Sequence, residues 1–415
     1  MKKLGFIFPG QSSQYIGMGK NLYDEFKVAR ETFEEASETL GINLQTLCFD
    51  GPIDELTKTA NAQPAILTVS VAAYRILMQE LKLNPLFLAG HSLGEFSALS
   101  CAGVINLADA VKIVRKRGLL MQEAVPLGEG KMLAVVGLNE WDVESVCMKV
   151  STGDSKVVIA NYNSSNQIVI SGHVNAVEKA KEHLDKMGGK TIPLKVSAPF
   201  HSPLMDAASI KFSKELEKYD YGSFQWPVIS NVTATPYKDK QFVLPNLTNQ
   251  MANPVQWQRS IQYMLNKGVD TFIEIGPKTV LKNLMQEFTK KAQVFSFENT
   301  ANLQGLRMAE VESKPDGLKL ITSCIATAVS TQNHNWDNKE YDKGVIVPYK
   351  KLEELRNGLI QTKEEPTIEQ MQDALDLLKL IFETKFTPLE LREERFNQIF
   401  RKSNTQEIFS EFNVY

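Results

Sequence analysis

"NPLFLAGHSLGEFSALSCAGV", residues 84–104, is the stretch on which the fold turns. An apolar run at 86–89 enters Gly90-His91-Ser92-Leu93-Gly94, and a helix-like stretch from Glu95 to Ala102 leaves it. The pentapeptide fits G-x-S-x-G. In that pattern a serine is forced outward on the sharp turn between a sheet strand and the next helix, and the glycines avoid collisions there. A tight turn that merely needs small residues would also fit. The strand before it and the helix after it favour a nucleophile at Ser92.

Working outward, residues 4–8 read as a short apolar strand that stops at Pro9-Gly10. The following GQSSQYIGMGK, residues 10–20, is not a phosphate loop. The position five residues before Gly19 is Gln14, where that motif requires glycine. Helices are expected at 21–40, 54–82 and 107–124. Strands alternating with helices predict an α/β domain, α/β-hydrolase-like, with a mainly parallel sheet.

The pattern changes at PLGEG, residues 126–130. The order then becomes strand 132–137, helix 141–150, strands 157–162 and 167–171, helix 175–187 and strand 191–196. This β-α-β-β-α-β order is ferredoxin-like. The chain resumes with helix 204–218, strand 228–230, helix 257–266, strand 271–275 and helix 280–287. The expected domains are therefore 1–128 with 198–290 (large), 129–197 (small, ferredoxin-like) and 291–415 (a C-terminal extension).

Within the extension, 297–345 reads as polar and irregular apart from apolar 318–329. Two helices then start at TIEQ (367–370) and TPLE (387–390), each fitting a capping box, the second with proline at the first helical position. Ile368, Met371, Leu375, Leu378 and Phe382 form a stripe expected to pack on the parent domain, with partner docking as the alternative.

Composition narrows the class. The chain has 415 residues, 43% of them hydrophobic, and a net charge of −3, which suits a folded protein and gives no basic surface for nucleic acid. Cys48, Cys101, Cys147 and Cys324 lie far apart, as expected of reduced thiols and not of a disulfide frame or zinc site. The start, MKKLGFIFPG, is too short for a signal h-region, and no apolar run is long enough to span a membrane. A cytoplasmic protein with no membrane, metal or cofactor requirement is expected.

A serine nucleophile needs a base. The five histidines are His91, His173, His183, His201 and His334. His91 adjoins Ser92 and should point away from it, whereas His173 and His183 lie in the insert. His201, in SAPFHSP (197–203), sits where the chain re-enters the large domain and is the candidate left by elimination. No aspartate stands in an obvious orienting context, so a backbone carbonyl could hold the imidazole.

Arg117 is the other unusual residue. It shares a helix face with Ala110, Ile113, Val114, Leu120, Met121 and Ala124. A guanidinium in an apolar stripe is costly unless paired, so a ligand carboxylate held bidentately is attractive. In the plainer reading the stem packs while the head reaches water. Arg115 and Lys116 lie off the stripe and should be solvated.

Together, FPGQS (8–12), GHSLGE (90–95), RGLLMQE (117–123), Phe200-His201, NPVQW (253–257) and EIGP (274–277) resemble the malonyl-coenzyme A:acyl carrier protein transacylase family over roughly residues 1–290. The resemblance implies that Ser92 is acylated by malonyl-coenzyme A with His201 as base. It implies that Arg117 binds the malonyl carboxylate, with Phe200 and Met121 also on the substrate side. It assigns the backbone N–H groups of Gln11 and Leu93 to an oxyanion hole and the carbonyl of Gln250 to holding the histidine. Phenylalanine before the histidine goes with malonyl over methylmalonyl choice. The implied reaction is ping-pong transfer to the pantetheine thiol of an acyl carrier protein, in fatty-acid or polyketide synthesis. The extension exceeds what such an enzyme needs and is expected to dock a polyketide synthase. Two other readings use the same residues: a hydrolase clearing acyl carriers, and a non-catalytic scaffold.

Overall fold

The apolar runs on either side of the first hundred residues become neighbouring strands in a computed structural model of the chain. It describes residues 3–81, 83–126, 128–194, 198–288, 292–311, 315–406 and 408–413. Strand β1 (Leu4–Phe8) lies parallel to β2 (Pro85–Gly90), with Phe8 opposite Gly90. The other strands are β3 (Gly130–Val136), β4 (Val157–Ser164), β5 (Gln167–His173), β6 (Lys190–Pro193), β7 (Val228–Ile229), β8 (Thr271–Ile275) and β9 (Gln293–Phe297). The large sheet has the order β7-β2-β1-β8-β9 with every pair parallel. Parallel strands need crossovers, and helices supply them on both faces.

The most deeply packed crossover is the helix Thr59–Leu81, which is small and apolar on nearly every side. The helix Leu107–Glu123 crosses it closely because residue 118 is glycine: a Cβ there would lie 2.7 Å from the Ala60 Cα. That close crossing sets the position of Arg117.

The insert forms its own sheet, β4-β5-β3-β6, with every pair antiparallel, as the ferredoxin-like order requires. Strand alternation divides its side chains between two environments. Leu133, Val135, Ile168 and Ile170 pack with Val143, Val146 and Val177 into the subdomain's own core. Met132, Ala134 and Val169 face the other way, toward the large domain. The edge strand β4 is tied to the NPVQW segment by Tyr162 N–H to Val255 O (3.0 Å) and Val255 N–H to Ala160 O (2.9 Å).

Several boundaries differ from the sequence reading. The helix expected at 21–40 breaks at Phe26, whose backbone is extended, and that expected at 54–82 breaks at Lys58. Helices Leu44–Phe49 and Val243–Gln250 were not anticipated; both are short and follow a capping Asn43 or a 3-10 turn at Lys240–Phe242. Strand β6 ends at Pro193, and residues 195–196 of the expected strand lie outside the described residues. The large domain does not end at 290: β9 pairs with β8, Phe297 is fully buried, and Leu303 and Leu306 join the same core.

The chain divides into Lys2–Arg307 and Met308–Tyr415. In 297–345, expected to be irregular apart from 318–329, Thr300–Val311 and Asn338–Tyr341 are helical as well, and the excepted apolar stretch forms the helix Gly317–Ser330. Helices Val347–Thr362, Ile368–Thr384 and Leu389–Ser403 complete the second unit. Met371, Leu375, Leu378 and Phe382 are buried, but in a core made by this unit alone, with Leu320, Ile321, Leu352 and Phe396; Ile368 is exposed. The stripe therefore packs inside this unit's own core. The Thr367 capping box forms. The one expected at Thr387 does not, because Pro388 is the N-cap and Glu390 falls one position short.

Candidate active site

Glycine makes the turn around Ser92 possible. A Cβ at Gly90 would lie 1.9 Å from Gly94, one at Gly94 would lie 2.0 Å from the Phe8 carbonyl oxygen, and one at Gly10 would lie 2.5 Å from the His91 carbonyl oxygen. These contacts let β2 turn straight into the helix Leu93–Cys101 beside the end of β1. Ser92 itself holds φ 50°, ψ −102°, a strained conformation for a residue with a side chain. Asn231, just past β7, braces it: its Nδ2 donates to Gly90 O (2.7 Å), and its Oδ1 accepts from Ser92 N–H (2.8 Å).

His201 meets the serine. Its Nε2 lies 2.8 Å from Ser92 Oγ, and its Nδ1 lies 2.8 Å from the main-chain carbonyl of Gln250. A carbonyl only accepts, so Nδ1 carries the proton and Nε2 is left as the acceptor for the serine hydroxyl. Burial, reinforced by Arg117, pushes the imidazole down to about 3, so it is neutral when free. Asp206 is exposed at the start of the helix Asp206–Leu216 and has no part in this arrangement. His91 turns away from Ser92, with Nε2 2.8 Å from Asn163 Oδ1 and its ring edge against Trp257. His173 accepts from Lys156 N–H in the small subdomain.

Arg117 is 1% exposed, which excludes the reading in which its head reaches water. Its guanidinium lies over the Phe96 ring and donates from one terminal nitrogen to Ser92 Oγ (3.2 Å) and Gln250 Oε1 (2.8 Å). Its Nε has no partner. A buried cation with an unsatisfied donor beside a hydroxyl is a candidate for receiving an anion, although Arg117 is not itself among the residues lining the cavity that opens on Ser92. Burial lowers this guanidinium to about 10, opposed by the nearby Glu95. Arg115 is not solvated as expected: it donates to Ala60 O and Asn61 Oδ1, whereas Lys116 is exposed.

Sequence reasoning missed the group beneath. Glu95 is fully buried and accepts from Tyr237 Oη, Gln250 Nε2 and Asn231 N–H. Burial drives its carboxyl up to about 7 against these donors and Arg117. Gln250 thus serves twice, its main chain holding His201 and its side chain standing between Glu95 and Arg117. The signal was available in Glu95, a carboxylate inside an otherwise apolar helix start.

Gln11 follows β1, and Leu93 is the first residue of its helix, so its N–H is among the donors a helix start leaves unpaired. A cavity of about 520 Å³ opens on Gln11, Ser92 and His201 at the carboxyl ends of β1, β2 and β8, where open parallel sheets bind ligands. Phe200, Leu194, Leu281 and Leu284 form its apolar wall, and Asn161, Asn163 and Gln167 its polar one. Met121 is not on this cavity. It is buried, with its sulfur accepting from Gln63 Nε2. EIGP also gains a reason: the Glu274 carboxylate caps the helix Val280–Phe288 through Leu281 and Lys282 N–H. Among the described residues no cluster of metal-ligating side chains occurs.

The family described as acyl transferase domain matches residues 5–308. A malonyl CoA-acyl carrier protein transacylase of Bacillus subtilis is 41% identical over 391 residues, 94% of this chain and 98% of its own. The enzyme of that name from Escherichia coli K12 is 44% identical over 285 residues, 68% of this chain and 92% of its own. Among solved structures, a type II polyketide synthase acyl carrier protein in complex with its malonyl-transacylase superposes with a TM-score of 0.71. Its identity is 39%, covering 73% of this chain and 98% of that one. The Clostridium perfringens transacylase gives a TM-score of 0.71 at 42% identity, covering 74% and 98%. With the strand-turn-helix serine, its histidine and the buried arginine in place, the chain belongs to the malonyl CoA-acyl carrier protein transacylase family.

Proposed function

We propose that the chain carries a malonyl group from malonyl-CoA, by way of a malonyl ester on Ser92, to the phosphopantetheine thiol of an acyl carrier protein. The observation that carries this reading is Arg117, buried against Ser92 with one donor free. An enzyme that hydrolysed unspecified acyl groups would have no use for it.

In the proposed sequence Ser92 Oγ attacks the thioester carbonyl while His201 Nε2 takes the hydroxyl proton. Negative charge develops on the carbonyl oxygen, where the Gln11 and Leu93 N–H groups would receive it. The tetrahedral adduct collapses, the carbon–sulfur bond breaks, and the proton on His201 leaves with the CoA sulfur. The carrier thiol then enters, gives its proton to His201 and attacks the ester, and Ser92 recovers the proton as it departs. Throughout, the Arg117 guanidinium holds the malonyl carboxylate, and Phe200 crowds an α-substituent. The proton count closes with no metal or cofactor.

We also propose Met308–Tyr415 as a docking element for a polyketide synthase. Two facts support it: this unit has its own core, and the Bacillus subtilis relative matches over 94% of the chain, a span that reaches well into it. Truncation after Arg307, which keeps β9 and the buried Leu303 and Leu306, should leave loading from malonyl-CoA intact and slow transfer to one class of carrier. Unchanged rates for every carrier would remove the docking role. The proposed setting is the cytoplasm, in keeping with four free, buried cysteines. Among the described residues no helix is long and apolar enough to cross a membrane.

The decisive experiment is intact-protein mass spectrometry after mixing with malonyl-CoA. Wild type should gain a malonyl mass that passes to a carrier faster than it hydrolyses, and Ser92→Ala should gain none. Arg117→Ala should lose malonyl loading and accept neutral acyl groups; equal malonyl turnover would refute the clamp.

A further inference from the structure

Glu95 takes no part in the steps above, yet it lies one carboxamide away from Arg117. All three contacts to its carboxylate come from donors: Tyr237 Oη at 2.5 Å, Gln250 Nε2 at 2.7 Å and Asn231 N–H at 3.2 Å. The same Gln250 Nε2 donates to the Ser92 carbonyl (2.9 Å), while Oε1 accepts from Arg117 (2.8 Å). A carboxamide has one donating end and one accepting end. A guanidinium can only donate and an ionised carboxylate can only accept, so an amide between them has one allowed direction.

We propose that Glu95 is a positioning residue that anchors the Gln250 carboxamide through its NH2 end and thereby aims Arg117 at the acyl carboxylate. The inference rests on the clamp reading of Arg117. With glutamine at 95 the charged acceptor for the Gln250 NH2 is gone, the amide is held only by the Arg117 guanidinium and the Ser92 carbonyl, and the aim of Arg117 loosens. The base would not feel the change, because His201 is held by the Gln250 main chain, which does not turn with the side chain. Glu95 therefore governs which acyl group is accepted and not how reactive Ser92 is.

The test is single-turnover acylation of the full chain, read by intact mass, with malonyl-CoA and with acetyl-CoA. In Glu95→Gln, malonyl loading should fall about 10- to 100-fold, the range that a hydrogen bond to a charged group carries. Acetyl loading should stay within about threefold of wild type, the margin of a neighbouring change that leaves the nucleophile alone. Tyr237→Phe, which removes one donor from Glu95, should shift the malonyl-to-acetyl ratio the same way by less, and it decides the matter if the glutamine variant does not fold. An unchanged ratio, or an equal fall with both substrates, would overturn the role of Glu95. Arg117→Ala, measured alongside, separates the two claims. If it keeps the wild-type ratio, the clamp itself has failed. If it collapses the ratio while Glu95→Gln does not, only the positioning role has failed.

Discussion

Asn231→Ala is the perturbation that most directly tests how the nucleophile is held. The side chain is 1% exposed and makes two hydrogen bonds across the turn, to Gly90 O at 2.7 Å and from Ser92 N–H at 2.8 Å. Removing it leaves both main-chain groups unsatisfied, and at about 1–3 kcal/mol for each the loss is roughly 2–6 kcal/mol. For a unit of this size that is a fall in melting temperature on the order of 3–9 °C. The bonds also oppose the strain of Ser92 at φ 50°, worth about 1–3 kcal/mol, so the turn should relax once they are gone. Relaxation would carry Oγ away from His201, and a displacement of about 1 Å costs on the order of 100-fold in rate. Thermal denaturation and single-turnover malonyl loading read the two effects separately. Asn231→Asp sharpens the test, because its carboxyl must be protonated to donate to Gly90 O. That variant should be less deficient at low pH than at high pH. If Asn231→Ala melts within about 2 °C of wild type and loads malonyl at the wild-type rate, the bracing argument is wrong.

Further outcomes are expected. Malonyl loading should fall as pH drops below about 7, because Glu95 then gains a proton and no longer anchors the Gln250 NH2 as a charged acceptor; the groups facing it are Tyr237, Gln250, Asn231 N–H and Arg117. His201, lowered to about 3, should contribute nothing in that range, so Glu95→Gln should flatten the profile between pH 6 and 8, and a persisting slope would assign it elsewhere. Gly94→Ala should fail to give soluble protein, since its Cβ would lie 2.0 Å from the Phe8 oxygen; a normally folded variant would contradict the packing. Glu274→Ala should lower stability by about 1–2 kcal/mol through the lost cap on Val280–Phe288, measured by urea denaturation. Glu274 and Glu95 are both raised to about 7, so the folded chain keeps protons that the unfolded chain releases from pH 4.5 upward. Their contribution to stability therefore declines as pH rises toward 7, and each variant should lose its share of that slope.

What the sequence made legible follows physical lines. Ser92 could be read because a strand, a glycine-flanked serine and a helix are contiguous, and His201 because few histidines competed. Arg117 could be read because charge on an apolar face breaks a period. The ferredoxin-like insert was legible because strand alternation and helix periodicity follow one another without interruption. Glu95 carried a signal as a carboxylate in an apolar helix start, but its partners Asn231 and Tyr237 were not legible, since they meet it across 136 to 142 residues of chain. Met121 shares the stripe of Arg117 yet belongs to the core, because periodicity places a residue on a face but does not say which part of that face meets a cavity. β9 was missed because a five-residue edge strand with half-exposed side chains has little apolar signal, and its place is fixed only by pairing with β8.

The separate core of Met308–Tyr415 has a calorimetric consequence. A chain with two independent sets of buried side chains need not unfold in a single transition, and one melting temperature would then describe neither part. Loss of malonyl loading on heating should coincide with the heat-absorption peak of Lys2–Arg307 alone. A second peak, set by Leu320, Leu378, Phe382 and Phe396, could shift or vanish under substitution without any change in turnover. Preparations judged intact by malonyl loading could therefore hold the C-terminal unit unfolded, and the missing second peak would reveal it.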